Sequence, residues 1–217
     1  MLKGIKAIIF DMDGIIIDSE PLWRKAMIQS FNEIGIPFSD EECRITTGMR
    51  FIEVAEYWFT KHNVISITVK EFDDIVITRL CQLIETEGKL LPGVKSTLEF
   101  LKVNGYKIAI GTSSNVQLMN TVIKTLQIES YFNAVCSAQF LQYGKPHPEV
   151  FLNCANELKV LATECLVIED SFNGIIAAKA SQMKVLAVPD EENKSNPKFI
   201  IADYRLNSLE DFASLLN

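Results

Sequence analysis

The sequence predicts an α/β fold in which a mostly parallel sheet is covered by helices on both faces, with a small helical bundle inserted after the first strand. Three observations lead there. Short apolar runs rich in β-branched residues recur through the second half of the 217-residue chain, and they alternate with segments of helical period. A run of the same kind, "KAIIF" at residues 6–10, stands near the start. Between the two, residues 18–88 read as helical throughout.

Taken in order, "KAIIF" ends in the Asp/Gly cluster "DMDG" and reads as a buried strand. Asp18 or Ser19 can cap the segment that follows, in which Trp23, Met27, Phe31 and Ile34 share one face and Gly35 marks the end. Three more helices are expected before residue 88. Ser39 with Glu42 and Thr68 with Glu71 form capping-box pairs, each side chain serving the other residue's free amide, and these start two of the three. The last carries Val69, Phe72, Val76, Leu80 and Leu83 at three- and four-residue spacing, a packing stripe.

From "LLPGV" the alternation begins: a helix from near Pro92 to Gly105, the strand "YKIAI", and a helix over 116–127. The strand "NAVCSA", a helix over 148–158, the strand "CLVIED", a helix over 172–182 and the strand "KVLAV" complete it. Residues 1–17 and 89–217 are therefore expected to form the sheet-based core, and 18–88 the inserted bundle. The charged stretch "PDEENKSNPK", 189–198, reads as a solvated surface loop.

Composition narrows the function classes. A formal charge of −7, with no block of consecutive Lys or Arg, argues against a backbone-driven nucleic-acid binder and against binding to an anionic membrane. Cys43, Cys81, Cys136, Cys154 and Cys165 are scattered without a CxxC pair, and only His62 and His147 could add nitrogen ligands. Neither a zinc site nor a disulfide framework is expected, and buried reduced thiols suit a cytoplasmic protein. The N-terminal apolar patch is too short for a signal segment and no other run reaches spanning length, so a soluble, unexported protein is expected.

In an open α/β sheet, ligands bind beyond the carboxyl ends of the strands, so the residues just after each strand are the ones that matter. They are Asp11, Asp13 and Gly14; then Gly111, Thr112, Ser113, Ser114 and Asn115; then Lys145 in the loop "QYGKPHP"; then Glu169, Asp170 and Ser171. Each set alone has a bland explanation: turn formers, helix caps, a surface charge, an acidic helix N-terminus. Their convergence on one sheet edge does not.

Two like charges 4 Å apart repel by about 4 kcal/mol at an effective dielectric of 20. Asp11, Asp13 and Asp170 crowded together therefore imply either a raised pKa or a cation among them, and an all-oxygen set without histidine favours a hard ion such as Mg2+. Mg2+ shares its positions with carboxylates and phosphate oxygens, which implies a phosphorylated substrate. The hydroxyls and amides of Thr112 and Ser113, with the Lys145 ammonium, are suitable donors to the other phosphate oxygens. Asp11 is placed to attack phosphorus and form an aspartyl-phosphate, and Asp13 to protonate the leaving alkoxide and later deprotonate water.

These residues resemble the four motifs of the haloacid dehalogenase-like (HAD) hydrolase superfamily. "DMDG" is similar to the first, Thr112 in "IGTSS" to the second, Lys145 in "GKPHP" to the third and "EDSFNG" to the fourth, all in the expected order. The resemblance covers the whole chain. It implies a Rossmann-like core with a cap domain of the smaller type where the helical insertion lies. "DGIIIDSEPLW", "TTGMR", "LLPGV" and "KPHPEVFLNCANEL" are similar to the branch of sugar-phosphate phosphatases and β-phosphoglucomutases, most of all to 2-deoxyglucose-6-phosphate and hexitol-phosphate phosphatases.

The resemblance implies that Asp11 is nucleophile and Mg2+ ligand, and that Asp13 is the acid/base and lends its backbone carbonyl to the ion. It makes Asp170 a further ligand, with Glu169 close to the metal's shell, and Thr112, Ser113 and Lys145 the phosphate holders. Dehalogenases of the superfamily lack the second aspartate of the first motif, which is present here as Asp13. The mutases carry a cap histidine at a position that corresponds to Trp23.

The cap is expected to choose the substrate by closing over the site, with Glu20, Trp23, Thr47 and Arg50 as candidate contacts and Ser114 and Asn115 facing the same entrance. Trp23 could equally anchor the first cap helix, and Arg50 could be solvated. The expected activity is hydrolysis of a small sugar or polyol phosphate by a monomer or weak dimer. A phosphosugar mutase is the enzymatic alternative; a regulatory module that binds phosphate, or accepts it on Asp11, without turnover is the non-enzymatic one.

Overall fold

The computed structural model describes residues 3–46 and 49–216. Thr47, one of the cap candidates, lies outside them. The strands β1 (Ala7–Phe10), β2 (Lys107–Thr112), β3 (Ala134–Ser137), β4 (Cys165–Glu169), β5 (Lys184–Ala187) and β6 (Tyr204–Arg205) form one sheet in the order β3-β2-β1-β4-β5-β6. Every pairing is parallel.

The continuous apolar runs are explained by burial on both faces. Ile8, Phe10, Ile110, Leu166 and Ile168 point into one core, while Ala7, Ile9, Ala109, Val167 and Val185 point into another. Helices α5 (Val94–Val103) and α6 (Val116–Thr125) put their buried residues in the first core; α7 (Glu149–Leu158) and α8 (Phe172–Ala180) put theirs in the second. Chain order reverses between β1 and β4. The crevice beyond that switch point is where such sheets take their ligands.

Between β1 and β2 in sequence lie α1 (Glu20–Glu33), α2 (Asp40–Ile45), α3 (Phe51–His62) and α4 (Val69–Glu87). Both predicted capping boxes form, Ser39 with Glu42 and Thr68 with Glu71. An aromatic cluster fills this insertion: Phe31 stacks on Phe38 at 4.1 Å and leans on Phe72 at 4.6 Å, and Trp58 meets Phe38 edge-on at 5.1 Å. α4 packs on α1 and α3 and also on α6 of the sheet layer, so its buried face runs on into the first core. The chain leaves and re-enters the sheet along paired segments, where Ile17 bridges Leu90 and the Leu91 N–H donates to the Ile16 carbonyl at 3.0 Å.

Three details differ from the sequence reading. Ser19 stands before α1 but makes no capping bond, because its hydroxyl is used elsewhere. On α4, Phe72, Val76 and Leu80 are buried as expected; Ile77, Cys81 and Ile84 join them, while Val69 and Leu83 are only half-buried, as a 3.6-residue period drifts across the stripe. Residues 189–198 do not simply face solvent. Pro189, Asp190 and Glu191 line the cavity above the sheet, and Glu192 pairs with Arg44 of α2 at 3.4 Å. Among the described residues no helix is long and apolar enough to cross a membrane.

Candidate active site

Beyond the β1/β4 switch point a cavity of about 990 Å³ opens between the sheet edge and the helical insertion. Asp11 follows β1 directly and its backbone is fixed by donating an N–H to the Ile168 carbonyl at 2.9 Å. Asp170 follows β4. Asp11, Glu169 and Asp170 can each bring a carboxylate oxygen within 4.8 Å of the others, so the acidic tips of the first and fourth strands do converge.

Two glycines permit the approach. Gly14 has φ +73°, and a Cβ there would lie 2.0 Å from Asp170 Oδ2. Gly174, in the first turn of α8, would put a Cβ 1.8 Å from Glu169 Oε1.

Lys145 is the cation that enters this cluster. Its Nζ donates to Asp11 Oδ1 at 2.7 Å and to Glu169 Oε1 at 2.6 Å, and it sits over the Phe151 ring at 4.8 Å. Glu169 is fully buried, and its other oxygen accepts from the Ser171 amide at 3.0 Å and hydroxyl at 2.9 Å. A chain of bonds from Ser171 through Glu169 thus sets Lys145, and Lys145 sets Asp11.

Electrostatically the cluster is short of positive charge, with Asp11, Asp13, Glu169 and Asp170 facing one ammonium. Burial pushes the Asp11 pKa up to about 7 against the pull of Lys145, with Glu169 and Asp13 adding to the rise. Burial, then the charges of Glu169 and Asp11, raise Asp170 well above the carboxylate range. Its carboxylate has no hydrogen bond or ion pair among the described residues. The charges of Asp11 and Glu169 outweigh burial at Lys145 and raise it above an ordinary lysine.

Asp13 is held by three donors. Ser19 Oγ donates to Oδ1 at 2.5 Å, Trp23 Nε1 to the same oxygen at 3.3 Å, and Ser114 Oγ to Oδ2 at 2.6 Å. Ser19 was legible only as a helix cap; its bond to Asp13 is what removes it from that duty. Trp23 does two things, since it also leans on Phe51 at 5.6 Å.

The remaining candidates divide. Thr112 is buried and its Oγ1 accepts from the Ser114 amide at 3.0 Å; Ser113 lines the cavity with no hydrogen bond among the described residues. Asn115 caps α6, its Oδ1 taking the Leu118 amide at 2.8 Å. Glu20 pairs with Arg24 at 2.6 Å. Arg50 is not solvated: it binds Glu53 at 2.6 Å and reaches across to the Leu141 carbonyl at 3.3 Å, beside the loop that carries Lys145. Ser171 and Gly174 were visible as part of a strand end and a motif, without the task of fixing Glu169. Asp73 of α4, which also lines the cavity, gave no signal.

A doubly covered parallel sheet with a carboxylate and lysine cluster at its switch point, roofed by a helical insertion, defines a doubly wound α/β protein with its candidate active site at the strand tips. The sequence profile described as "Haloacid dehalogenase-like hydrolase" matches residues 8–188, and the chain belongs to that family. Hexitol phosphatase B of Escherichia coli K12 is 36% identical over 213 residues, which cover 98% of this chain and 96% of that protein. Among solved structures, CbbY from Rhodobacter sphaeroides in complex with phosphate superposes with a TM-score of 0.87 at 23% identity, over 96% of each chain, which shows the shared fold. β-Phosphoglucomutase from Clostridium difficile gives a TM-score of 0.83 at 26% identity, over 98% of this chain and 96% of its own.

Proposed function

We propose that the protein is a phosphoric monoester hydrolase, a Mg2+-dependent phosphatase that cleaves a small sugar or polyol phosphate in the cytoplasm through an aspartyl-phosphate on Asp11. The observation that carries this reading is the convergence of Asp11, Glu169 and Asp170 to within 4.8 Å around a single lysine, at the floor of a cavity large enough for a phosphorylated metabolite. The relationship to a hexitol phosphatase at 36% identity supports the phosphatase chemistry and the substrate class.

The donor set fits a hard divalent ion. An unpartnered, desolvated Asp170 carboxylate beside Asp11 is an expensive arrangement for the protein alone and an ordinary one for two oxygen ligands. Asp11 and Asp170 would hold Mg2+ together with the Asp13 carbonyl, with Glu169 beside them bonded to Lys145. When bound, the ion offsets the crowded negative charge and that of the phosphate.

Asp11 then supplies the nucleophile: its carboxylate oxygen forms a bond to phosphorus as the ester P–O bond breaks. Lys145, bonded to Asp11 Oδ1, fixes the direction of attack, and Lys145 with Thr112 and Ser113 offers donors to the phosphate oxygens. Asp13 gives its proton to the departing alkoxide. It later takes one from the water that attacks the aspartyl-phosphate, as the bond from phosphorus to Asp11 breaks and inorganic phosphate leaves. Trp23 offers an N–H donor and no proton-transfer base, which favours hydrolysis over the mutase reading.

A panel of sugar and polyol phosphates assayed for phosphate release, first with Mg2+ and then with EDTA, tests this. Metal-dependent release is expected. A flat response in both conditions removes the phosphatase, and an isomeric sugar phosphate accumulating without free phosphate replaces it with a mutase.

A further inference from the structure

The helical insertion lines the cavity with several charged groups, and among their carboxylates the half-buried one, Asp73, is left unused by the proposed chemistry. Asp73, in the second turn of α4, lines the same cavity as Asp11 and is half-buried. Among the described residues its carboxylate has no hydrogen bond and no ion pair, and Lys70, three residues earlier on the helix, does not reach it. Burial, together with the charge of Asp74, pushes its pKa up to about 6, which leaves it a desolvated but largely ionised acceptor near neutrality.

Its surroundings make this unusual. Of the other charged groups the insertion brings to the cavity, Glu20 is paired with Arg24, Arg44 with Glu192, and Arg50 with Glu53 and the Leu141 carbonyl, while Lys70 and Asp74 are exposed to solvent. Ile77, one turn further along α4, and Met27 and Val54 give the cavity an apolar lining. A half-buried carboxylate that no protein donor satisfies costs free energy, and a ligand's O–H groups are what would recover it.

We propose that Asp73 is a specificity-determining residue, whose carboxylate accepts hydrogen bonds from hydroxyl groups at the unphosphorylated end of the substrate. The site then prefers polyhydroxylated phosphate esters to alkyl phosphates of equal length. This rests on the phosphatase reading above and assigns its selectivity to one side chain.

The test compares kcat/KM for a hexitol 6-phosphate and for n-hexyl phosphate, with Mg2+, in the native protein, Asp73→Ala and Asp73→Asn. The native ratio should favour the hexitol ester, and Asp73→Ala should lower that ratio on the order of 30-fold, the value of a hydrogen bond to a charged group. Asp73→Asn, which keeps an acceptor oxygen, should lose less. Thermal melting should show Asp73→Ala no less stable than the native protein, because it removes a desolvated charge, so loss of fold is not the cause. A ratio unchanged in Asp73→Ala, or an equal fall for both esters, overturns the proposal while the phosphatase reading stands. Failure of the native protein to hydrolyse either ester removes the phosphatase reading itself.

Discussion

Along the sheet edge the groups given a part in bond making and proton transfer are held by their neighbours: Lys145 by Asp11 and Glu169, Glu169 by Ser171, and Asp13 by Ser19, Trp23 and Ser114. Across the same cavity the helical insertion contributes apolar side chains and a half-buried carboxylate, Asp73, that has no side-chain partner among the described residues. The contrast separates two requirements. A group that attacks phosphorus or moves a proton needs its position set before substrate arrives, whereas a group that reads the substrate needs hydrogen-bonding capacity left over.

The sharpest way to break this comparison is Asp11→Asn. It keeps the shape and an acceptor for Lys145 but removes the nucleophilic carboxylate, so kcat should fall on the order of 10⁴-fold with the circular dichroism spectrum unchanged. Turnover equal to the native enzyme would strip the sheet edge of its assigned chemistry.

Lys145→Ala should come next, because it damages stability as well as rate. Asp11 and Glu169 would be left buried without their shared cation, at a cost of about 3–5 kcal/mol, read as a lower denaturant midpoint. An unchanged midpoint would mean that the cluster is not held by its lysine.

A smaller effect tests the metal. With its folded pKa near 7 against an ordinary 3.8, Asp11 keeps a proton in the folded chain that the unfolded chain has already lost, so stability falls as pH rises through that window. Asp170, shifted the same way, adds to the fall. Mg2+ should oppose it by binding the ionised carboxylates, raising Tm more at pH 8 than at pH 5 in EDTA-treated protein. Equal gains at the two pH values would argue that the ion binds elsewhere.

Trp23→Phe is the mildest variant: the ring on Phe51 survives and a 3.3 Å bond to Asp13 is lost. A reduction of kcat by roughly fivefold is expected, the value of one weak hydrogen bond. No change would make Trp23 a packing residue alone.

The sheet was readable because strands buried on both faces leave continuous apolar runs, and its first five strands were located to within two residues at each end. β6 was not, since two residues, Tyr204 and Arg205, carry no pattern. Within the site, the carboxylates, hydroxyls and lysine were legible because they follow strands, where topology alone dictates what meets. Asp73 was not, because it adjoins Phe72 at the edge of the α4 stripe, and only packing decides whether such a residue turns to solvent or to a cavity. Ser19 was misread for a related reason: a serine before a helix has an obvious use, and nothing local reveals that Asp13 competes for it.

Positions 14 and 174 contribute no functional group, yet a single methyl at either would occupy the space of an Asp170 or Glu169 carboxylate. Mutational tolerance here should therefore not track chemical participation: conservative changes at hydroxyl-bearing neighbours would be survivable, while the smallest possible enlargement at these two bare sites would dislodge the acids. In this enzyme, room withheld from the backbone's own side chains is as much an inherited constraint as any reactive atom.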